Sequence, residues 1–181
     1  MTRMRRPWTR LAGAAMAGHV FFELGAGVGM PFASVLGPAP AAALWTTATA
    51  WLQRAAGDPS RDTALAAVNG MEVAAAIGHL AGWPRRRTRV GLPWLVDCEG
   101  LGPELMRWYN PIVYTGGAAA LVALLTENRS ASRAAGLLPL ALVPLLIRVQ
   151  HAEHERLRRL AVRRPGWWNR RLQPERSWLP A

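Results

Sequence analysis

The stretch LAGAAMAGHVFFELGAGVGMPF, residues 11–32, decides what class of protein this is. A bilayer core about 30 Å thick needs roughly 20 helical residues at about 1.5 Å each, and this run is long enough to supply them. A charged start, MTRMRRPWTR, precedes it as in a signal peptide. The run is too long for a signal h-region, however, and it carries His19 and Glu23. It reads as a retained first membrane span.

Three further stretches repeat the pattern: TALAAVNGMEVAAAIGHLAGW at 63–83, WYNPIVYTGGAAALVALLT at 108–126 and AAGLLPLALVPLLIRV at 134–149. Between the first two spans lies PAAALWTTATAWLQ at 40–53, apolar but short. Charge decides how to treat it. All 22 basic residues are Arg, a bias typical of a high-GC bacterial coding sequence, and short Arg-rich loops stay cytoplasmic. With four crossings, 18 of the 22 share one face: the amino-terminal four, Arg85, Arg86, Arg87, Arg89, Arg107, Arg148 and the eight from Arg156 to Arg176. A fifth crossing at 40–53 would carry the 85–89 cluster away from the amino terminus.

The expected class is therefore all-α: a polytopic membrane protein of one domain, a four-transmembrane-helix bundle with an extra short outer-face helix at 40–53. The last span runs on as a cytoplasmic helix, and a basic tail, 150–181, lies along anionic lipid headgroups. The expected location is the plasma membrane, with both termini cytoplasmic. Trp8, Trp83, Trp94 and Trp108 at inner span ends, and Trp45 and Trp51 in the outer segment, suit interfacial belts.

Composition narrows the partners. A net charge of +11 in a chain that is 51% apolar would fit a nucleic-acid binder only if the basic residues lay along helix faces or among aromatics. Here they avoid the apolar runs, so the partners expected are the bilayer, an apolar small molecule and a further membrane protein, with no nucleic acid. A single cysteine, Cys98, rules out an internal disulfide. The loop Asp97-Cys98-Glu99 is read as pairing with the Arg85–Arg89 cluster, and Asn128-Arg129-Ser130 as an incidental glycosylation sequon.

Ionisable residues inside spans carry the functional reading, since a charge at mid-bilayer costs at least about 2.5–3.5 kcal/mol. His19 and Glu23 are four apart on one face of the first helix. Asn69, Glu72 and His79 share a face of the second. Four alternating spans would set Glu23 and Glu72 at similar depth with His19 and His79 below them, making His19, Glu23, Glu72 and His79 a candidate catalytic pocket. Tyr109, Asn110 and Tyr114 of the third span, with Asn69, are the candidate ligand-binding residues. A plainer role is a set of interhelical hydrogen bonds, each contributing about 0.6–2 kcal/mol.

Three chemistries suit such a pocket. A desolvated carboxyl beside a histidine can pass a proton to and from a lipid-like substrate. Two Glu and two His can hold a metal, although the Glu-x-x-His spacing of di-iron bundles is absent from the spans. His19 and His79 can ligate a haem axially, as in a redox carrier. A non-catalytic accessory subunit is the other reading, so activity as an enzyme and any cofactor stay open. A His-x-x-x-Glu helix, a second Glu on a neighbouring helix, Trp108 and Asn110 together resemble the sterol-isomerase-like, or EXPERA, membrane domain. The resemblance rests on His19, Glu23, Glu72, Trp108 and Asn110, and implies an acid–base site for a sterol-like ligand.

Overall fold

Proline opens three of the long helices at their first position, where a missing N–H costs nothing: α1 (Pro7–Ala26), α3 (Pro38–Ala55) and α5 (Pro103–Thr126). The computed structural model describes residues 5–174. Its other elements are α2 (Ala33–Leu36), α4 (Asp62–Gly82), a hairpin of β1 (Arg85–Arg87) and β2 (Pro93–Leu95), α6 (Arg133–Leu137) and α7 (Val143–Arg163). A 3-10 turn joins α6 to α7. Three helices are long and apolar enough to cross a membrane: Pro59–Gly82, Pro103–Thr126 and Arg133–Arg163. The protein is thus mostly helical and built for a membrane.

The first helix is not among those three, because Arg10, His19 and Glu23 lower its hydropathy. It packs on α3, α4 and α5 and leaves Trp8 and Leu11 exposed on its other side. It also stops at Ala26 rather than reaching residue 32. Gly27 takes a left-handed φ of 88° and its N–H closes the helix on Glu23 and Leu24 carbonyls, a conformation glycine adopts without a Cβ clash. The chain segment 167–172 covers this end: the Arg170 guanidinium donates to the Gly25 carbonyl at 2.8 Å and the Arg171 N–H to Gly27 at 3.0 Å. A cation at a helix carboxyl end is favourable. This part of the tail, with Asn169 and Leu172 buried, packs on the bundle, while the tail beyond 174 is outside the described residues.

Buried polar groups set the helix directions. At the end of α5, the Glu127 carboxylate accepts the N–H groups of Trp8 and Thr9 at 2.7 and 2.9 Å, satisfying donors that the start of α1 cannot satisfy itself. Asp62, first residue of α4, pairs with Arg6 at 3.2 Å, and accepts from Asn128 at 3.0 Å and the Ser130 N–H at 2.9 Å. The starts of α1 and α4 and the end of α5 therefore meet at one end of the bundle. α1 and α4 run parallel, and α5 runs against both.

The third helix fits this order by returning the whole length of α1. Ala41 packs with Val20, Leu24 and Val28 at the far end, and Gln53 donates to the Arg10 carbonyl at 2.9 Å at the near end. Its 18 residues span about 27 Å. Two expectations are corrected here. The segment 40–53 is part of a full-length bundle helix, not a short outer-face one. The alternation of four spans also fails, since it places Arg6 and Asp62 on opposite faces, yet they are ion-paired. Residue 7 and residue 171 lie at opposite ends, the latter pairing with Glu104 at the start of α5 at 3.0 Å. Arg-counting missed this because the Arg6 charge is matched by Asp62 at its own end.

Small residues permit the close approaches. Gly70 of α4 lies against the Gly136 carbonyl and Pro139, and Gly117 of α5 against Ala76. The long rod of α6 and α7 is lined outside by Leu137, Leu138, Leu142, Leu145 and Val149, all exposed, as a lipid-facing helix requires.

Asp62→Ala leaves Arg6, Asn128 and Ser130 without their shared acceptor. The expected cost is about 2–4 kcal/mol, seen as a lower melting temperature in detergent. Glu155→Ala, whose ion pair with Arg159 at 3.5 Å is exposed, serves as the near-neutral control.

Candidate functional site

The parallel run of α1 and α4 brings their histidines to one level. The His19 and His79 rings meet edge to face with centroids 4.7 Å apart. One turn further along α1, Glu23 is buried, and its Oε1 accepts from His19 Nε2 at 2.9 Å and from the Tyr109 hydroxyl of α5 at 2.5 Å. Glu23 Oε2 has no hydrogen-bond partner among the described residues. On α4, His79 Nδ1 bonds to the Ala75 carbonyl at 2.9 Å. A carbonyl only accepts, so Nδ1 carries the proton and Nε2 of the neutral ring keeps a lone pair.

The loop between hairpin and α5 joins this cluster. Cys98 and Glu99 are buried and do not pair with the Arg85–Arg89 cluster, which forms no ion pair among the described residues. Asp97 instead accepts the Gly102 N–H at 2.9 Å, closing a turn in which Gly100 and Gly102 take φ of 83° and 74°. That turn directs Cys98 Sγ to within 3.7 Å of the Tyr109 hydroxyl. Burial, with Glu99, Glu23 and Asp97 nearby, holds the Cys98 thiol well above its ordinary pKa. Burial and the carboxylates of Glu23 and Glu153 likewise push Glu99 well up. The only signal of this loop in the sequence is the paired glycines.

Glu72 lies apart from Glu23. It faces Gly116 and Ala15, about 12 Å down the α1 axis from Glu23 by helical rise, so the two carboxyls do not share a depth as expected. Parallel rather than antiparallel helices are the reason. Glu72 still lines one narrow crevice with His19 and His79, of ≈ 10 Å³, near the size at which a single water fits. On its other side Glu72 lines a cavity of ≈ 220 Å³ between α1, α3 and α4. Met16, Trp45, Trp51, Leu52, Val68 and Met71 supply apolar walls, and Asn69 and Thr49 supply polar atoms. Leu52, Ala55, Leu65 and Val68 close the cleft at its amino-terminal end.

The other candidate ligand-binding residues divide. Asn69 borders the cavity, but its amide N–H groups are held by Thr9 at 3.0 Å and Asn128 at 2.8 Å, leaving only Oδ1 without a partner among the described residues. Asn110 and Tyr114 anchor the hairpin. The Asn110 side chain accepts the Leu95 N–H at 2.9 Å and donates to the Leu95 and Met106 carbonyls at 3.1 and 2.8 Å, and the Tyr114 hydroxyl donates to the Pro93 carbonyl. Of the expected ligand set only Tyr109 enters the buried cluster. Trp108 is exposed with Arg107 over its ring, so the two α5 residues of the sterol-isomerase-like resemblance lie outside the site. Asn128 of the sequon is buried in the Asp62 clamp.

The His19 and His79 rings are too close to flank a porphyrin as a shared axial pair. Three donors, from His19, Glu23 and His79, lie within 4.8 Å of one another, as do those of His79, Cys98 and Glu99. No family model matches this chain, and comparisons with curated proteins and with solved structures found no match either.

Asn110→Ala removes two hydrogen bonds that hold the hairpin to α5, those to the Leu95 N–H and carbonyl, and one within α5 to the Met106 carbonyl. At about 1 kcal/mol for each bond, opening of 85–95 becomes at least about tenfold more frequent, and trypsin is expected to cut at Arg85–Arg89 correspondingly faster while the helices stay intact.

Proposed function

We propose that this chain is a five-pass membrane protein that binds an apolar molecule with one polar end in the cleft between α1, α3 and α4, presenting the Glu72 carboxyl to that end. The observation that carries the reading is the position of Glu72, the one ionisable residue in the lining of an otherwise apolar cavity. The unpartnered Asn69 Oδ1 adds an acceptor for a donor such as a hydroxyl. Burying an acceptor without a partner costs about 1–3 kcal/mol, and a ligand hydroxyl would offset that.

Glu72 also borders the crevice of His19 and His79, which connects the cavity with the Glu23–Tyr109 pair. Such a chain supports proton exchange with a bound ligand as well as simple binding. An acceptor polar group on the ligand would favour exchange, and a hydroxyl would favour binding.

For orientation, Arg5, Arg6, Arg10, Arg54, Arg61, Arg129 and Arg133 belong to one end of the bundle, and thirteen other described arginines to the end that carries the hairpin. The positive-inside tendency then favours a cytoplasmic hairpin and α7 end, the start of α1 on the opposite face, and anionic headgroups near Arg85–Arg89.

A photoactivatable long-chain alcohol tests the binding site. Labelling is expected on peptides from α3 and α4, and Ala48→Trp, an exposed position at the cavity wall, should reduce it several-fold without lowering stability. Glu72→Gln should weaken capture of the alcohol more than of the matching hydrocarbon. Equal labelling of all variants sinks the reading. Reporters fused ahead of Arg5 and inserted after Gly91 should report opposite faces, with Gly91 inside; the same face for both, as four crossings require, defeats the five-pass arrangement.

A further inference from the structure

We infer that His19, Glu23 and His79 form a binding site for one divalent transition-metal ion of the zinc type, its fourth position filled from the Cys98–Glu99 loop. The donor set comes first. Imidazole, carboxylate and thiol are the ligands such ions prefer, and the donor atoms of His19, Glu23 and His79 lie within 4.8 Å of one another. Bonds of about 2.0–2.2 Å to one ion put neighbouring donors roughly 3 Å apart. His19 Nε2 and Glu23 Oε1 are already 2.9 Å apart, so an ion would replace the proton held between them, that proton leaving to solvent on binding, with the His79 side chain adjusting to join.

The supporting shell is that of a metal site. The Ala75 carbonyl holds His79 Nδ1–H at 2.9 Å and leaves Nε2 free, and the Tyr109 hydroxyl orients Glu23 at 2.5 Å. Partners of this kind fix the orientation of ligating histidines and carboxylates. Glu23 Oε2 is buried and unpartnered among the described residues, and Glu99 is buried close by. Among the described residues Glu23 has His19 as its ionic partner at 2.9 Å, and Glu99 has none. Two carboxyls and a thiol enclosed with His19 as the one ionic partner among the described residues form an arrangement that a divalent ion neutralises further. This inference does not rest on ligand binding in the α1, α3 and α4 cleft, since its donors lie beyond the crevice from that cavity.

Full-length protein, purified in mild detergent and stripped with a chelator, should bind one Co2+ per chain with the intense visible d–d absorption of a low-coordinate site, displaced by Zn2+. Glu23→Gln, which keeps shape and loses the ligand charge, and His79→Asn should each weaken Co2+ binding by about 100-fold or more. His151→Asn, outside the cluster, should leave it unchanged. Zn2+ should also raise the melting temperature of the parent protein but not of Glu23→Gln, which covers a histidine variant that fails to assemble. Absence of the absorption in the parent, unchanged affinity in Glu23→Gln, or loss of binding in His151→Asn would each overturn the assignment.

Discussion

The bundle depends on the buried polar clamp where the starts of α1 and α4 meet the end of α5. In apolar surroundings each unpaired polar group costs several kcal/mol, so the open N–H groups of Trp8 and Thr9 need an acceptor. Glu127 supplies it, and Asp62 draws Arg6, Asn128 and Ser130 to the same point. These pairings hold only if three helix ends coincide. Once they do, α1 and α4 are parallel, and the chain between them must return the length of the bundle as α3.

Everything at the far end follows from that order. Parallel helices level His19 with His79 and leave Glu72 about two turns below Glu23. A polar residue there is satisfied where its partners are backbone: Asn110 and Tyr114 hold the hairpin over the bundle. Beneath the hairpin the pairing stops short, with Glu23 Oε2 without a partner among the described residues and Cys98 and Glu99 folded inward. One end is a closed structural clamp. The other holds groups with capacity to bind something more.

The candidate site was partly legible in the residues themselves. His19, Glu23, Glu72 and His79 stand out as ionisable groups in apolar runs, and all four border one crevice or its adjoining pair. Their relative depth was not legible, because helix direction enters it. Asn69, Asn110 and Tyr114 look like ligand contacts by residue type, yet their partners are Thr9, Asn128 and the backbone of 93–95, which only folding brings near. Cys98 and Glu99 sit beside an Arg cluster in sequence, and a turn at Gly100 and Gly102 takes them away from it.

By itself the sequence determined an all-α, membrane-embedded class, the long apolar helices and the groups that burial would force to find partners. Tertiary structure alone decided the direction of each helix, the standing of α3 and which polar residues meet. The physical reason is that hydropathy and charge counts treat every segment as if it faced lipid and water alone. α1 packs on α3, α4 and α5, and Arg6 is matched by Asp62, so neither behaves as an isolated segment would.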